Sequence, residues 1–125
     1  MKEFVVQLSH RPGELARVTN ALSPLGVNLK SVAAMAVGDQ GIVRFIPDDP
    51  IAARSALDNA GIRFEENEVV VALLENKAGE LTGVAAKLAE AGVNLLAVYV
   101  VCVSDDLIEL AVISDDPKKA KKLLE

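Results

Sequence analysis

Apolar residues along the chain alternate between short β-branched runs and stretches in which leucine, valine and alanine recur every three or four positions. The short runs predict buried strands at Phe4–Ser9 and Val69–Leu74. The helical spacing that follows each strand predicts an amphipathic helix with one inward face. The residues predicted to face inward are Leu15, Val18, Leu22 and Leu25 in the first stretch and Leu81, Val84, Leu88 and Ala91 in the second. Gly26 and Gly92 stand where a left-handed residue ends a helix.

Each helix is followed by a longer apolar run, a turn-rich junction and another apolar run, which together predict a hairpin. Asp-Asp-Pro then begins a second helix in each half, because a carboxylate caps a helix and proline suits its first position. The predicted strands are Leu29–Val37, Ile42–Ile46, Leu95–Val103 and Leu107–Ile113, and the second helices are Ile51–Ala60 and Lys118–Leu124. Ile62–Glu66 is predicted as a closing strand of the first half, and the second half has no counterpart to it.

The two halves are copies of one another. Residues 11–32, RPGELARVTNALSPLGVNLKSV, align without gaps on residues 77–98, KAGELTGVAAKLAEAGVNLLAV, and Gly79 stands 66 residues after Gly13. The sequence therefore predicts two domains, residues 1–67 and 68–125. We expect an α+β protein made of two tandem ferredoxin-like βαββαβ units with antiparallel sheets, the second unit lacking its last strand. The open sheet edge of that unit is expected to be exposed or filled by another segment.

Composition narrows the functional classes. The chain has 125 residues, 51% of them hydrophobic and only 3% aromatic, with a formal net charge of −5. The one lysine-rich run, at residues 118–122, is flanked by Asp115, Asp116 and Glu125, so the chain is not expected to bind nucleic acid. Cys102 is the single cysteine, which excludes an internal disulfide and a thiolate metal cage, and we expect it to be buried in an apolar strand. No apolar run is long enough for a signal peptide or a membrane span, so we expect a soluble cytoplasmic protein.

The repeated segments resemble ACT domains. The residues that carry this resemblance are HRPGELARV at 10–18 with GVNL at 26–29, and NKAGELTGV at 76–84 with GVNL at 92–95. Resemblance to ACT domains implies a ferredoxin-like sheet, modules paired side by side through their second strands, and a free amino acid bound at the interface between modules. It also implies a regulatory protein rather than an enzyme, because no catalytic segment accompanies the two copies.

The chemistry of the repeated residues suits such a ligand. Backbone N–H groups at a helix start are unsatisfied and electropositive, so the glycine loops can receive a carboxylate. Asn28 and Asn94 offer donors and an acceptor for an ammonium group. The resemblance to ACT domains implies that the loop of one module meets the asparagine-bearing strand of the other. The predicted ligand-binding residues are Arg11, Pro12, Gly13, Glu14, Leu15, Asn28 and Leu29, with Lys77, Ala78, Gly79, Glu80, Leu81, Asn94 and Leu95.

Each of these residues also has a structural interpretation. The glycine loops serve equally as plain strand-to-helix turns, and the asparagines as turn residues after a helix. A carboxylate such as Glu14 or Glu80 is favourable at a helix start without any ligand. Arg11 and Lys77 are as readily solvated surface charges, and His10 an exposed loop residue.

Three functions remain open at this stage. The leading one is an amino-acid-binding regulatory protein that needs no metal or cofactor and forms a homodimer, with a preference for a small or branched aliphatic ligand. The second is an interaction subunit that modulates an amino-acid-biosynthetic enzyme such as acetolactate synthase through its open sheet edge. The third, a small enzyme using Cys102 and His10, lacks an orienting third group.

Overall fold

The computed structural model describes all 125 residues and divides the chain into two compact units. Module 1 comprises residues 2–67, and module 2 comprises residues 68–125 together with Met1. None of the helices combines the length and the apolar character needed to cross a membrane.

Module 1 has the order βαββαβ that the repeat predicts. Its elements are β1 Lys2–Ser9, α1 Glu14–Leu22, β2 Leu29–Val37, β3 Gln40–Pro47, α2 Pro50–Asn59 and β4 Glu65–Glu68. The four strands form one sheet in the order β2-β3-β1-β4, and β3 runs antiparallel to both β1 and β2. This is the ferredoxin-like arrangement predicted from the sequence.

Module 2 repeats the arrangement without a fourth strand. Its elements are β5 Val70–Glu75, α3 Glu80–Glu90, β6 Leu95–Ser104, β7 Leu107–Ser114 and α4 Pro117–Leu124. The sheet order is β5-β7-β6, with both pairs antiparallel, so β5 is an end strand where its counterpart β1 is an inner one. The sheet of module 2 thus has three strands where that of module 1 has four.

The predicted helix boundaries depend on local capping. Asp49 and Asp116 accept the backbone N–H groups of Ala52 and Lys119, each at 3.1 Å, and a proline follows each aspartate. These carboxylates satisfy donors that the first helical turn leaves open. Gly26 and Gly92 have φ of 71° and 73°, in the left-handed region, as the sequence predicts.

The two cores lie between one sheet face and its helices. In module 1 the rings of Phe4 and Phe45 stack at 5.6 Å beneath α1 and α2, and Val18 and Leu22 of α1 are buried against them. In module 2 Val84 and Leu88 pack in the same way on the strands. The helix faces were therefore predicted correctly at these four positions.

The inward prediction is wrong for Leu15, Leu25 and Leu81, which are 44%, 51% and 57% exposed. Leu15 and Leu81 lie in the first turn of α1 and α3, and the buried apolar positions begin one turn later, at Val18 and Val84. Leu25 follows the end of α1, because Pro24 belongs to a 3-10 turn at Ser23–Leu25. Periodicity gives the face of a helix but not the extent of the sheet beneath it.

The closing strand of module 1 begins later than predicted. Ile62 and Gly61 are used to end α2 instead: the Ile62 N–H bonds to the Leu57 carbonyl at 2.9 Å, and Gly61 is left-handed with φ of 67°. A backbone engaged in this kind of helix termination cannot pair in a sheet. The strand therefore starts at Glu65, and Ile62 is buried in the core.

The prediction that Cys102 is buried is also wrong, because the side chain is exposed. The register of β6 against β7 shifts between Val100 and Cys102, so that Val100 faces Leu110 and Cys102 faces Glu109. Cross-strand partners share a sheet face. Leu110 belongs to the helix-covered core, so Glu109 and Cys102 lie on the opposite face. One extra residue, Val101, thus forms a bulge that transfers Cys102 to the face without helices.

Candidate functional site

The loop between β1 and α1 holds the predicted ligand-binding residues of module 1. The His10 N–H bonds to the Asp39 carbonyl at 3.0 Å, which ties the loop to the turn of the β2–β3 hairpin. Gly13 precedes the helix with φ of 91° and ψ of −9°, a conformation that glycine adopts without strain. No side chain caps α1. Its first N–H groups are therefore left for water or a ligand at the positive end of the helix.

The corresponding loop of module 2 has the same backbone geometry. Gly79 has φ of 90° and ψ of −13°, and α3 also begins without a side-chain cap. The Asn76 N–H bonds to the Asp106 carbonyl at 2.6 Å, as His10 does to Asp39 in module 1. Ala78 stands where module 1 has Pro12, and the loop keeps its shape without the proline.

The two modules differ in the charges around this loop. Glu14 is buried and accepts hydrogen bonds from Arg17 Nε at 2.9 Å and from Arg11 Nε at 3.1 Å. The hydrogen bond from Arg17 is the largest cause that holds the pKa of Glu14 below its ordinary value, and the bond from Arg11 adds to it. Glu14 is thus neither a helix cap nor a free acceptor, and Arg11, which is exposed, keeps its terminal guanidinium donors.

Module 2 contains no arginine, so Glu80 has different partners. Its Oε1 accepts the backbone N–H of Glu75 at 3.3 Å. Lys77, which replaces Arg11, forms an ion pair with Glu75 at 2.8 Å. The lysine is therefore directed toward the preceding strand instead of the glutamate of the helix.

A cavity of about 240 Å³ lies between the module 1 loop, the first turn of α1 and the far end of the β2–β3 hairpin. Three predicted site residues, Arg11, Glu14 and Leu15, line it, and so does His10. The remaining lining residues are Leu8, Ser9, Ala34, Met35, Ala36, Gly41, Ile42 and Val43. The sequence interpretation missed the hairpin contribution. The hairpin residues could be identified by counting the antiparallel register outward from the turn at Gly38. Met35 then faces Ile42, and Leu8 faces Gly41.

A larger depression, about 790 Å³, lies beside β1 and the segment between α2 and β4. Its lining includes Gln7, Arg63 and Phe64 but none of the predicted ligand-binding residues. It also lacks an uncapped helix start. We therefore place the candidate site at the smaller cavity.

Asn28 and Asn94 lie away from the loops of their own modules. The Asn28 N–H bonds to Asp48 Oδ1 at 3.0 Å and its carbonyl accepts the Asp48 N–H at 2.9 Å; Asn94 and Asp115 repeat both bonds. The backbone makes these bonds, and both asparagines are exposed.

Within module 1 the glycine loop and the asparagine lie at opposite ends of the sheet. Ser9 pairs with Gln40 at one end of β3, and Leu29, which follows Asn28, pairs with Pro47 at the other. The length of β2 separates them by roughly 25 Å. A single module thus does not bring the predicted residues together.

The fold of this chain is similar to that of several known structures. Protein BT0572 from Bacteroides thetaiotaomicron is similar over 98% of this chain and 85% of its own, with a TM-score of 0.87 and 25% identity. The ligand-free regulatory subunit of aspartate kinase from Thermus thermophilus has a TM-score of 0.68 at 15% identity, over 98% of this chain and 88% of its own. The latter likeness concerns the fold alone.

A search of curated proteins gives no significant match. The family model described as "ACT domain pair" matches residues 1–125, which is the whole chain. That match agrees with the duplicated loop, helix and Gly-Val-Asn-Leu segments and with the two ferredoxin-like modules. The chain belongs to the ACT domain pair family.

Proposed function

We propose that this protein is a regulatory sensor that binds a free amino acid, with the first loop as its principal site. The observation that carries the proposal is the cavity at the start of α1, where an uncapped helix and Arg11 meet a small apolar hollow. Membership of a family of paired ACT domains supports the same function. The chemistry of an amino acid can be matched to this cavity one group at a time.

The carboxylate of the ligand is assigned to the start of α1. Backbone N–H groups there are free of side-chain acceptors, and the absence of a Cβ at Gly13 lets a ligand approach closely. Arg11 donates only its Nε to Glu14, so its terminal nitrogens are available for a second carboxylate. Glu14 would then hold the guanidinium in place without competing for the same donors.

The side chain of the ligand is assigned to the apolar part of the cavity. Leu8, Leu15 and Ala36 line this part, since the register places Leu8 and Ala36 on the sheet face that α1 covers. The volume of about 240 Å³ is below the range of about 300–1,000 Å³ that suits drug-sized ligands. A small or branched aliphatic amino acid fits these properties.

The ammonium group of the ligand is assigned to an asparagine from another module. Asn28 and Asn94 immediately precede β2 and β6, the end strands of the two sheets. Both strands are almost entirely apolar, and side chains such as Val37 and Val103 are more than half exposed. Pairing of modules side by side along these strands in a homodimer would cover them and bring a loop to an asparagine.

The two sites are proposed to differ in affinity. Only module 1 has the Glu14 carboxylate held between two arginines, whereas Lys77 of module 2 is paired with Glu75. Arg11 is therefore the better placed carboxylate donor. We expect the first site to fill before the second.

The proposed targets of this protein are enzymes of amino-acid pathways. One structural neighbour is a regulatory subunit of aspartate kinase, and another is a complex of aspartokinase alpha and beta subunits, with a TM-score of 0.63 at 14% identity over 98% of this chain and 88% of its own. These neighbours share the fold with this chain. Ligand binding in a non-catalytic sensor of this type would act through the affinity of the protein for its target.

Isothermal titration with each of the twenty amino acids tests the proposal. One amino acid is expected to bind, and Asn28→Ala is expected to weaken it by about tenfold or more while leaving the melting temperature unchanged. Asn94→Ala is the matched control variant, because the backbone of Asn94 makes the same hydrogen bonds as that of Asn28. Absence of heat and of thermal shift with all twenty would overturn the proposal.

A further inference from the structure

The outer edge of β1 is only partly covered by β4, because β1 has eight residues and β4 has four. Two bonds fix how these strands lie against one another. The Val69 N–H bonds to the Met1 carbonyl at 3.0 Å, and Asn67 Nδ2 bonds to the Glu3 carboxylate at 2.9 Å. Residue numbers thus rise along β1 as they fall along β4, so the two strands are antiparallel.

This register leaves the second half of the β1 edge without a neighbour. β4 begins at Glu65, which the register places opposite Val5. The termination of α2 described above keeps residues 61–64 out of the strand. The way in which α2 ends therefore leaves the outer edge of β1 open from Gln7 onward.

The backbone of Gln7 offers a hydrogen-bond donor and an acceptor at this open edge. The His10 N–H bonds to the Asp39 carbonyl, so His10 and the alternate residues before it, such as Leu8, direct their backbone groups toward β3. Gln7 therefore directs its N–H and C=O groups away from β3. Since β4 does not reach Gln7, both groups are available to an added strand.

The depression of about 790 Å³ lies along this open edge, and three exposed charged side chains line it. Asp58 and Glu65 are negative, and Arg63 is positive. None of the three makes a side-chain hydrogen bond or an ion pair. Asp58 acts on Arg54 through its charge alone, because the Arg54 guanidinium is bonded to Glu66.

The balance of charge in the depression favours a cationic group. α2 ends at Asn59, and Asp58 and Gly61, on either side of that end, both line the depression. The last carbonyl groups of a helix form its negative end, which attracts a cation. Two carboxylates and this helix end together outweigh the single guanidinium of Arg63.

We propose that this edge binds the N-terminal segment of a partner polypeptide by strand addition. Because β4 occupies the edge as far as Glu65, an added strand has to end there, so the occupant presents a chain terminus. The charge balance selects the N-terminal ammonium group, which bonds to Asp58 and Glu65. The segment then runs parallel to β1, with its backbone paired to Gln7.

The occupant is a different polypeptide and not a second copy of this chain. Residues 2–9 form β1, which lies between β3 and β4, so the first strand of a folded second copy is already paired. The proposed interaction does not involve the loop at Gly13 and does not depend on amino-acid binding there. It identifies a surface through which the protein contacts a target.

The test titrates the isotope-labelled full-length protein with the tetrapeptide Ala-Val-Thr-Val amide, whose only charge is its terminal ammonium group, and follows the backbone amide signals by NMR. We expect saturable shifts at Gln7 and at residues 61–65. Acetylating the N-terminus of the peptide is expected to weaken binding about tenfold. Asp58→Asn and Glu65→Gln are each expected to weaken it about three- to tenfold. Asp105→Asn is the matched control, because Asp105 does not line the depression.

Modified peptides separate strand pairing from simple charge attraction. In a parallel pair, a residue bonds to the carbonyl before its opposite residue and to the amide after it. With the second peptide residue opposite Gln7, methylation of the third amide nitrogen is expected to abolish binding, whereas methylation of the second is expected to change it less than twofold.

Several results would overturn the proposal. These are absence of saturable shifts, equal binding of the acetylated peptide, and equal effects of the two methylations. Alanine amide that shifts the same signals with the same affinity as the tetrapeptide would also overturn it, because the site would then bind an ammonium group without a strand. So would a dimeric protein that Asp58→Asn converts to a monomer, since the occupant would then be a second copy.

Discussion

Gly13 and Gly79 have the same left-handed backbone conformation at the starts of α1 and α3, with φ of 91° and 90°. A Cβ added at either position meets no atom within 4 Å, so the strain of a substitution lies in the backbone alone. Gly13→Ala and Gly79→Ala are therefore expected to lower the free energy of unfolding by about 1–2 kcal/mol each. Urea denaturation measures both.

The same pair of variants tests which loop binds the amino acid. If the first loop is the principal site, Gly13→Ala weakens binding in isothermal titration far more than Gly79→Ala does, although the two lose equal stability. Equal loss of binding would assign the ligand to both loops. A larger loss from Gly79→Ala would contradict the proposed order of the sites.

Glu14 predicts a pH dependence of stability. The bonds from Arg17 and Arg11 lower its pKa in the folded state below the ordinary value of 4.5, so the folded protein favours the charged carboxylate more than the unfolded chain does. The stabilisation is present above pH 4.5 and is lost as the pH falls through the lowered pKa. Glu14→Gln is thus expected to be less stable than the unaltered protein at pH 7, with the difference shrinking in acid.

Denaturation midpoints measured from pH 7 to pH 3 would show this convergence. Glu80→Gln is the matched control, because Glu80 has no arginine partner. A constant difference between Glu14→Gln and the unaltered protein across the pH range would show that the arginine bonds do not contribute.

Glu3 and Arg44 form an ion pair on the helix-free face of module 1. The Glu3 carboxylate is fully buried and accepts Arg44 Nη1 and Asn67 Nδ2, each at 2.9 Å. Arg44→Met removes the cation and leaves the buried carboxylate, so we expect a loss of about 3–5 kcal/mol in the free energy of unfolding. Arg63→Met, at an exposed arginine, is expected to change it by less than about 0.5 kcal/mol. Equal effects would mean that the Glu3 pair is not needed for stability.

Cys102 is expected to react as a surface thiol. Its exposure predicts that a thiol reagent modifies one group per chain in native buffer, at a rate close to that of the denatured protein. Cys102→Ser is expected to change the free energy of unfolding by less than about 0.5 kcal/mol. Reaction that requires denaturant would contradict the position of the bulge at Val101.

Much of the fold could be predicted because local signals agree with one another. Left-handed glycines, Asp-Pro helix starts and the repeat all indicate the same boundaries, so the start of α2 was predicted within one residue. The errors arise where the outcome depends on neighbours that the sequence does not place. Ile62 has strand-like character, but its N–H is used to end α2. Leu15 has helical spacing, but it is exposed at the cavity beside the loop.

The candidate site could be predicted in part for the same reason. The loop residues Arg11, Glu14 and Leu15 follow from the repeat, since a helix start has the same chemistry in any fold. Met35 and Ile42 depend on strand register, and the arginine pair around Glu14 depends on side-chain directions across one helical turn. The sequence shows that the second copy has Gly83 where the first has Arg17. Only the contacts of Glu14 show that this replacement removes a hydrogen-bond donor to the glutamate.

The bulge at Val101 is a structural difference between two modules that otherwise repeat one another. The extra residue accounts for the change in spacing between the halves, from 66 residues at Gly13 and Gly79 to 67 at Pro50 and Pro117. It lies in an end strand, so no core side chain had to move to accept it. The hairpin tip of module 2 consequently presents a set of side chains that module 1 does not have. Later selection could act on that surface alone, while the shared hydrophobic interior kept both halves foldable.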